Sequence, residues 1–78
     1  MKARVIVTLK NGVLDPQGNA IEGALEALSF QGVRSVRQGK VFDVELDTDN
    51  ADEARAALTA ICEKLLANTV IEDFEINL

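Results

Sequence analysis

Apolar residues recur along this chain at two spacings, and the switches between them mark its elements. Residues 3–10 alternate. Val5, Val7 and Leu9 point one way, and Arg4, Thr8 and Lys10 the other, with Ile6 the exception on that second side. This predicts a strand, left through Asn11-Gly12, since both residues tolerate positive φ. Over residues 16–29 the spacing becomes helical, with Ala20, Ile21, Ala24, Leu25 and Leu28 on one stripe and Glu22 and Glu26 outside it. Gly23 costs a helix interior up to about 1 kcal/mol relative to Ala, which suits a place of close packing. Gln31-Gly32 closes the helix.

Residues 33–38 and 41–47 read as two strands joined by a short hairpin at Gly39-Lys40. The first alternates poorly and its charges suit a protected edge strand. The second turns Phe42, Val44 and Leu46 inward and Asp43 and Glu45 outward. After the polar loop Asp47-Thr48-Asp49-Asn50, the pair Asn50 and Glu53 has capping-box spacing. Ala54, Ala57, Leu58, Ile61 and Leu65 then form the inner stripe of a second helix over 51–67. Asn68 is its expected end, in the left-handed conformation. Residues 70–77 are the last strand, with Phe74 and Ile76 inward and Asp73 and Glu75 outward.

The order β-α-β-β-α-β predicts an α+β, ferredoxin-like sandwich, a four-stranded antiparallel sheet with two helices on one face. The other face carries Arg4, Ile6, Thr8, Lys10, Asp43, Glu45, Ile71, Asp73 and Glu75. It is neither core nor cleanly polar, and is a candidate surface for self-association.

The junction of the first strand and helix, Val13-Leu14-Asp15-Pro16-Gln17-Gly18-Asn19-Ala20-Ile21, admits two readings. Asp15 is a preferred N-cap and Pro16 falls at the first helical position, where its missing N–H is harmless. That describes a well-made helix start. Gln17, Gly18 and Asn19 are poor helix formers, however, and suit a loop tip shaped for a partner.

Composition narrows the picture. At 78 residues the chain is expected to form one domain, 1–78, and a domain so small is marginal alone. There is one cysteine and no histidine, so neither disulfides nor a metal framework can add support, and oligomerisation is the expected remedy. Thirteen acidic residues against eight basic ones give a net charge of −5. That excess disfavours nucleic acid and anionic membrane surfaces as partners. No apolar run is long enough to span a bilayer, and Met1-Lys2-Ala3-Arg4 has no signal-peptide pattern, so a cytoplasmic location is expected.

Catalytic patterns are missing. Cys62 has no histidine to activate it and borders the apolar stripe, which suits a small buried hydrophobe. The first loop holds Asn11-Gly12-Val13-Leu14 where a metal chaperone of this fold needs Cys-x-x-Cys. Where RNA recognition wants stacking aromatics on the two central strands, these strands offer Ile6, Thr8, Asp43 and Glu45. Gly12, Gly18 and Gly23 match no phosphate-binding glycine pattern. A free-standing enzyme is not expected.

Three stretches, Val13-Leu14-Asp15-Pro16-Gln17-Gly18, Val36-Arg37-Gln38-Gly39-Lys40 and Cys62 through Phe74, resemble the PurS family, the small subunit of phosphoribosylformylglycinamidine synthase. The likeness runs over essentially the whole chain. Thr69 stands where the family often has proline. The resemblance implies a role in purine biosynthesis, within a ligase that converts formylglycinamide ribonucleotide, glutamine and ATP to formylglycinamidine ribonucleotide, glutamate, ADP and phosphate. A glutaminase subunit (PurQ) releases ammonia, and a synthetase subunit (PurL) uses it together with ATP and magnesium. The small subunit is implied to bridge the two and assist ammonia transfer, with no active site and no cofactor of its own. It is expected to form a homodimer or larger oligomer. Asp15, Pro16, Gln17, Gly18, Gly39, Lys40 and Asn68 are the candidate interaction residues. The alternative is an ACT-like regulatory domain that binds a small molecule at a dimer interface. Gly12 is compatible with it, but the Asp15-Pro16-Gln17-Gly18 start and the Asn68 end are not shared by ACT domains.

Overall fold

The computed structural model describes all 78 residues. Its strands are β1 (Lys2–Leu9), β2 (Gly39–Glu45) and β3 (Glu72–Asn77), and its helices are α1 (Pro16–Ala27) and α2 (Ala51–Ile61). A π-helical turn, Cys62–Leu66, continues α2. The sheet has the order β2-β1-β3, with β1 antiparallel to both neighbours.

The alternation read from the sequence sets the two faces of this sheet. The register puts Val5 beside Phe42 and Ile76, Ala3 beside Val44, and Val7 beside Phe74. Ala3, Val5 and Val7 on the central strand are buried, and Leu58, Cys62 and Ala67 of the second helical segment pack with them in one core cluster; Ala54 of α2 is buried as well. Leu58 and Val5 are fully buried. The opposite face is solvated and laced with cross-strand ion pairs, Arg4 to Asp43 at 2.9 Å and Lys10 to Asp73 at 2.5 Å. Pairs this exposed add little stability. They make that face a poor candidate for the apolar contact a small domain needs.

The expected four-stranded sheet is not formed; the sheet has three strands. Residues 33–38 take no strand, and Gly39-Lys40 is not a hairpin turn. Gly39 and Lys40 lie within β2, opposite Thr8 and Val7 of β1. With the hairpin opened out, residues 33–38 run back beside α1, where the Val36 N–H donates to Glu22 Oε1 at 2.6 Å. The second expected feature that fails is the pair of helices on one face. Only α2 covers the sheet; α1 makes no substantial contact with any strand or with α2. Ile21 and Leu28 of its apolar stripe are exposed. Gly23, expected at a close contact, faces open space.

Two local corrections concern the end of the second helix. The π turn, closed by Ala67 N–H donating to the Cys62 carbonyl at 2.9 Å, inserts an extra residue into the helical repeat. That rotates the inner stripe from Leu65, which is 78% exposed, to Leu66 and Ala67. Asn68 is not left-handed, because the helix ends at an extended Ala67. Asn68 instead organises the following turn, its carbonyl accepting from Ile71 and Glu72 and its side-chain oxygen from Val70.

Candidate functional site

The loop after β1 turns at Gly12, whose φ of 86° suits glycine. It delivers Asp15 to the N-cap of α1 and Pro16 to the first turn. The Asp15 carboxylate does two jobs. Oδ1 accepts from the Gly18 N–H at 2.9 Å, which is the helix cap; Oδ2 accepts from the Gln38 N–H at 2.9 Å, which ties the helix start to the entrance of β2. These two backbone donors hold the carboxyl below the usual carboxylate range.

Gly18 is buried, and a side chain there would run into the Val36 carbonyl and Asp15. Its lack of Cβ therefore serves a close approach inside the chain. Arg37 completes the junction, donating to Asn11 Oδ1 at 2.8 Å and to the Leu9 carbonyl. At Gly39 a side chain would meet the Val7 carbonyl across the β1–β2 ladder.

Asp15, Pro16, Gln17, Gly39 and Lys40 come together on one cleft of about 200 Å³, lined also by Val7, Leu9, Gln38 and Glu72. Gly18 lies behind it. Asn68 is not on the cleft wall but is connected to it through Glu72: the Asn68 N–H donates to Glu72 Oε1 at 2.8 Å, and Lys40 Nζ lies 3.4 Å from Glu72 Oε2. The Asn68 hydrogen bond first, and then Lys40, lowers the Glu72 pKa. Arg37, Gln38 and Glu72 were absent from the candidate residues. All three fall inside the stretches that carry the family resemblance, which was the signal available for them.

The polar groups of this junction differ in how far they are already engaged within the chain. Asp15 is committed to backbone donors, and Glu72 to Asn68 and Lys40. The exposed Gln17 amide can offer a donor and an acceptor outward, and the half-solvated Lys40 ammonium a charge. Cys62 lies far down the other end of the fold's logic, fully buried under the sheet, where burial and then Glu63 push its thiol pKa up.

Comparison with known proteins agrees with the residue pattern. Residues 2–78 match the PurS family, described as phosphoribosylformylglycinamidine (FGAM) synthase. The PurS subunit of Mycobacterium leprae is 52% identical over 75 residues, covering 96% of this chain and 91% of its own length. The crystal structure of Methanocaldococcus jannaschii PurS, described as one of the subunits of formylglycinamide ribonucleotide amidotransferase, superposes with a TM-score of 0.88 at 42% identity, over 97% of this chain and 92% of that one. A chain of the PurLQS structure from Thermotoga maritima gives a TM-score of 0.88 at 32% identity, over 97% of this chain and 93% of that one. The β1–α1 junction, the cleft around Lys40 and the Asn68 turn are thus parts of a known type of subunit, and the chain belongs to the PurS family, the small subunits of the ligase phosphoribosylformylglycinamidine synthase.

Proposed function

We propose that this chain is the non-catalytic bridge of its synthase, seated between a PurQ-type glutaminase and a PurL-type synthetase and assisting ammonia transfer between them in the cytoplasm. The observation that carries the reading is the full-length likeness, residues 2–78, to PurS subunits, including one within a PurLQS structure. The chemistry is consistent with it. Ammonia released into bulk solvent is diluted and protonated, so a subunit that fixes the two larger ones at one separation raises its effective concentration at the second site. In this reading the chain binds no cofactor; ATP and magnesium belong to the synthetase. No helix is long and apolar enough to cross a membrane.

The proposed docking surface is the tip formed by Asp15, Pro16 and Gln17, backed by buried Gly18, with Gly39 and Lys40 on the cleft and the Asn68 turn joined to it through Glu72. Gln17 and Lys40 supply its free polar groups. The test is co-elution of the three subunits from size-exclusion chromatography with glutamine and ATP present. The chain should join the larger subunits in one peak. Gln17→Ala with Lys40→Ala should weaken co-elution at an unchanged urea midpoint. Co-elution equal to that of the unsubstituted chain would move the docking surface elsewhere.

A further inference from the structure

The loop between β1 and α1 is held more firmly than its sequence alone would hold it. Asn11-Gly12 suits several turn shapes, and one backbone bond lies within the loop, from the Val13 N–H to the Lys10 carbonyl at 3.2 Å. Both ends of the loop are nevertheless tied down, and by consecutive residues. The Arg37 guanidinium donates to Asn11 Oδ1 at 2.8 Å, to the Leu9 carbonyl, and to the Lys10 carbonyl at 3.3 Å, which fixes the exit from β1. The Gln38 N–H donates to Asp15 Oδ2, which fixes the entry to α1. Between these ties the loop presents Leu14, 71% exposed, next to the Asp15-Pro16-Gln17 tip. Stability is a weak reason for this arrangement. Arg37 is itself exposed, so its hydrogen bonds replace hydrogen bonds to water and add modestly to folding. Holding so long a side chain on three acceptors also costs rotamer entropy. What the contacts achieve is the ordering of an exposed loop.

We propose that Arg37 is a positioning residue for assembly of the synthase: it holds the loop through Leu14 in the one shape that a larger subunit grips. The inference rests on the bridging role and the docking tip proposed above, and it adds the residue that shapes the neighbouring loop. Ordering completed in the free chain is not paid again at docking. Without the guanidinium the loop visits other shapes, and the apparent affinity falls by the fraction of time it spends in the competent one. The planar fork matters as well as the charge. Its N–H groups reach a side-chain oxygen and two carbonyls at once from a fixed plane, which a single lysine ammonium does not reproduce.

The experiment titrates each variant into the glutaminase and synthetase subunits with glutamine, ATP and formylglycinamide ribonucleotide. If the freed loop is competent about a tenth of the time, Arg37→Ala should need about tenfold more chain for half-saturation and still reach the same plateau. Its urea midpoint should stay near that of the unsubstituted chain, while amide exchange at Val13 accelerates. Arg37→Lys, which keeps the charge without the fork, should shift nearly as far. Asn11→Ala should shift less, and adding it to Arg37→Ala should shift no further, because the two substitutions remove the same contact. An Arg37→Ala chain that titrates like the unsubstituted one overturns the inference and leaves the bridging role standing. Full recovery in Arg37→Lys also overturns it, since charge alone would then suffice. So does a urea midpoint that falls in step with the titration, which would make Arg37 a support of the fold only. An unsubstituted chain that raises no glutamine-dependent synthesis removes the bridging role and this inference together.

Discussion

Single residues at the β1–α1 junction carry more than one role, and substitutions can pull the roles apart. Asp15→Asn keeps an acceptor for the Gly18 N–H, because Asn caps as well as Asp, but puts an amide NH₂ where Gln38 needs an acceptor. Asp15→Ala removes both contacts. The urea midpoint should therefore fall clearly for Asp15→Ala and only slightly for Asp15→Asn, while amide exchange at Gln38 accelerates in both. Gly18→Ala should lower the midpoint despite alanine's better helix propensity, since the Cβ would collide with backbone. A gain in stability would show that the return segment is not held where it is described. Asp15 and Glu72 also set an acid limit. Both carboxyls titrate below their ordinary range in the folded chain, so the stability they contribute is present above the unfolded-state pKa and is lost as pH falls through the folded value. The urea midpoint of the unsubstituted chain should decline on acidification through that window, and less steeply in Asp15→Asn. Cys62 behaves as a buried hydrophobe. Its native thiol should label slowly, and Cys62→Ala should cost on the order of 1 kcal/mol through lost packing.

At the scale of elements, local signals were legible and hinge geometry was not. Asp15 caps α1 and Asn50 caps α2 as their spacing indicated, because a cap is decided within four residues. Even so, Glu53 accepts from the Thr48 hydroxyl at 3.0 Å, so the capping box is only half built. The alternation of β1, β2 and β3 located the sheet and its inner face correctly. Gly39-Lys40 misled because Gly is equally at home in a tight turn and where a neighbouring backbone passes close, and only the β1 ladder decides between them. The π turn misled because one inserted residue rotates a helical stripe without leaving a mark in the pattern. It yields a clean comparison at matched protein concentration. Leu66→Ala should destabilise by about 1–2 kcal/mol, whereas exposed Leu65→Ala should stay within about 0.5 kcal/mol. Equal losses would return Leu65 to the core.

For the whole molecule, the sequence carried the family but not the open shape. Five of the seven candidate residues meet on one cleft, because the stretches that hold them are joined through Asp15 and Glu72. Asn68 reaches it only through Glu72. The detachment of α1 from the sheet was invisible because its apolar stripe reads the same whether or not it is covered. The most direct measurement of the central claim uses the glutaminase and synthetase subunits with ATP and formylglycinamide ribonucleotide, and adds this chain in increasing amounts. With glutamine as nitrogen donor, synthesis should rise from a low level and saturate at a fixed ratio of chain to larger subunits. With excess ammonium salt in place of glutamine, the added chain should matter far less. Full glutamine-dependent activity without the chain, or no response to its addition, would contradict the bridging role.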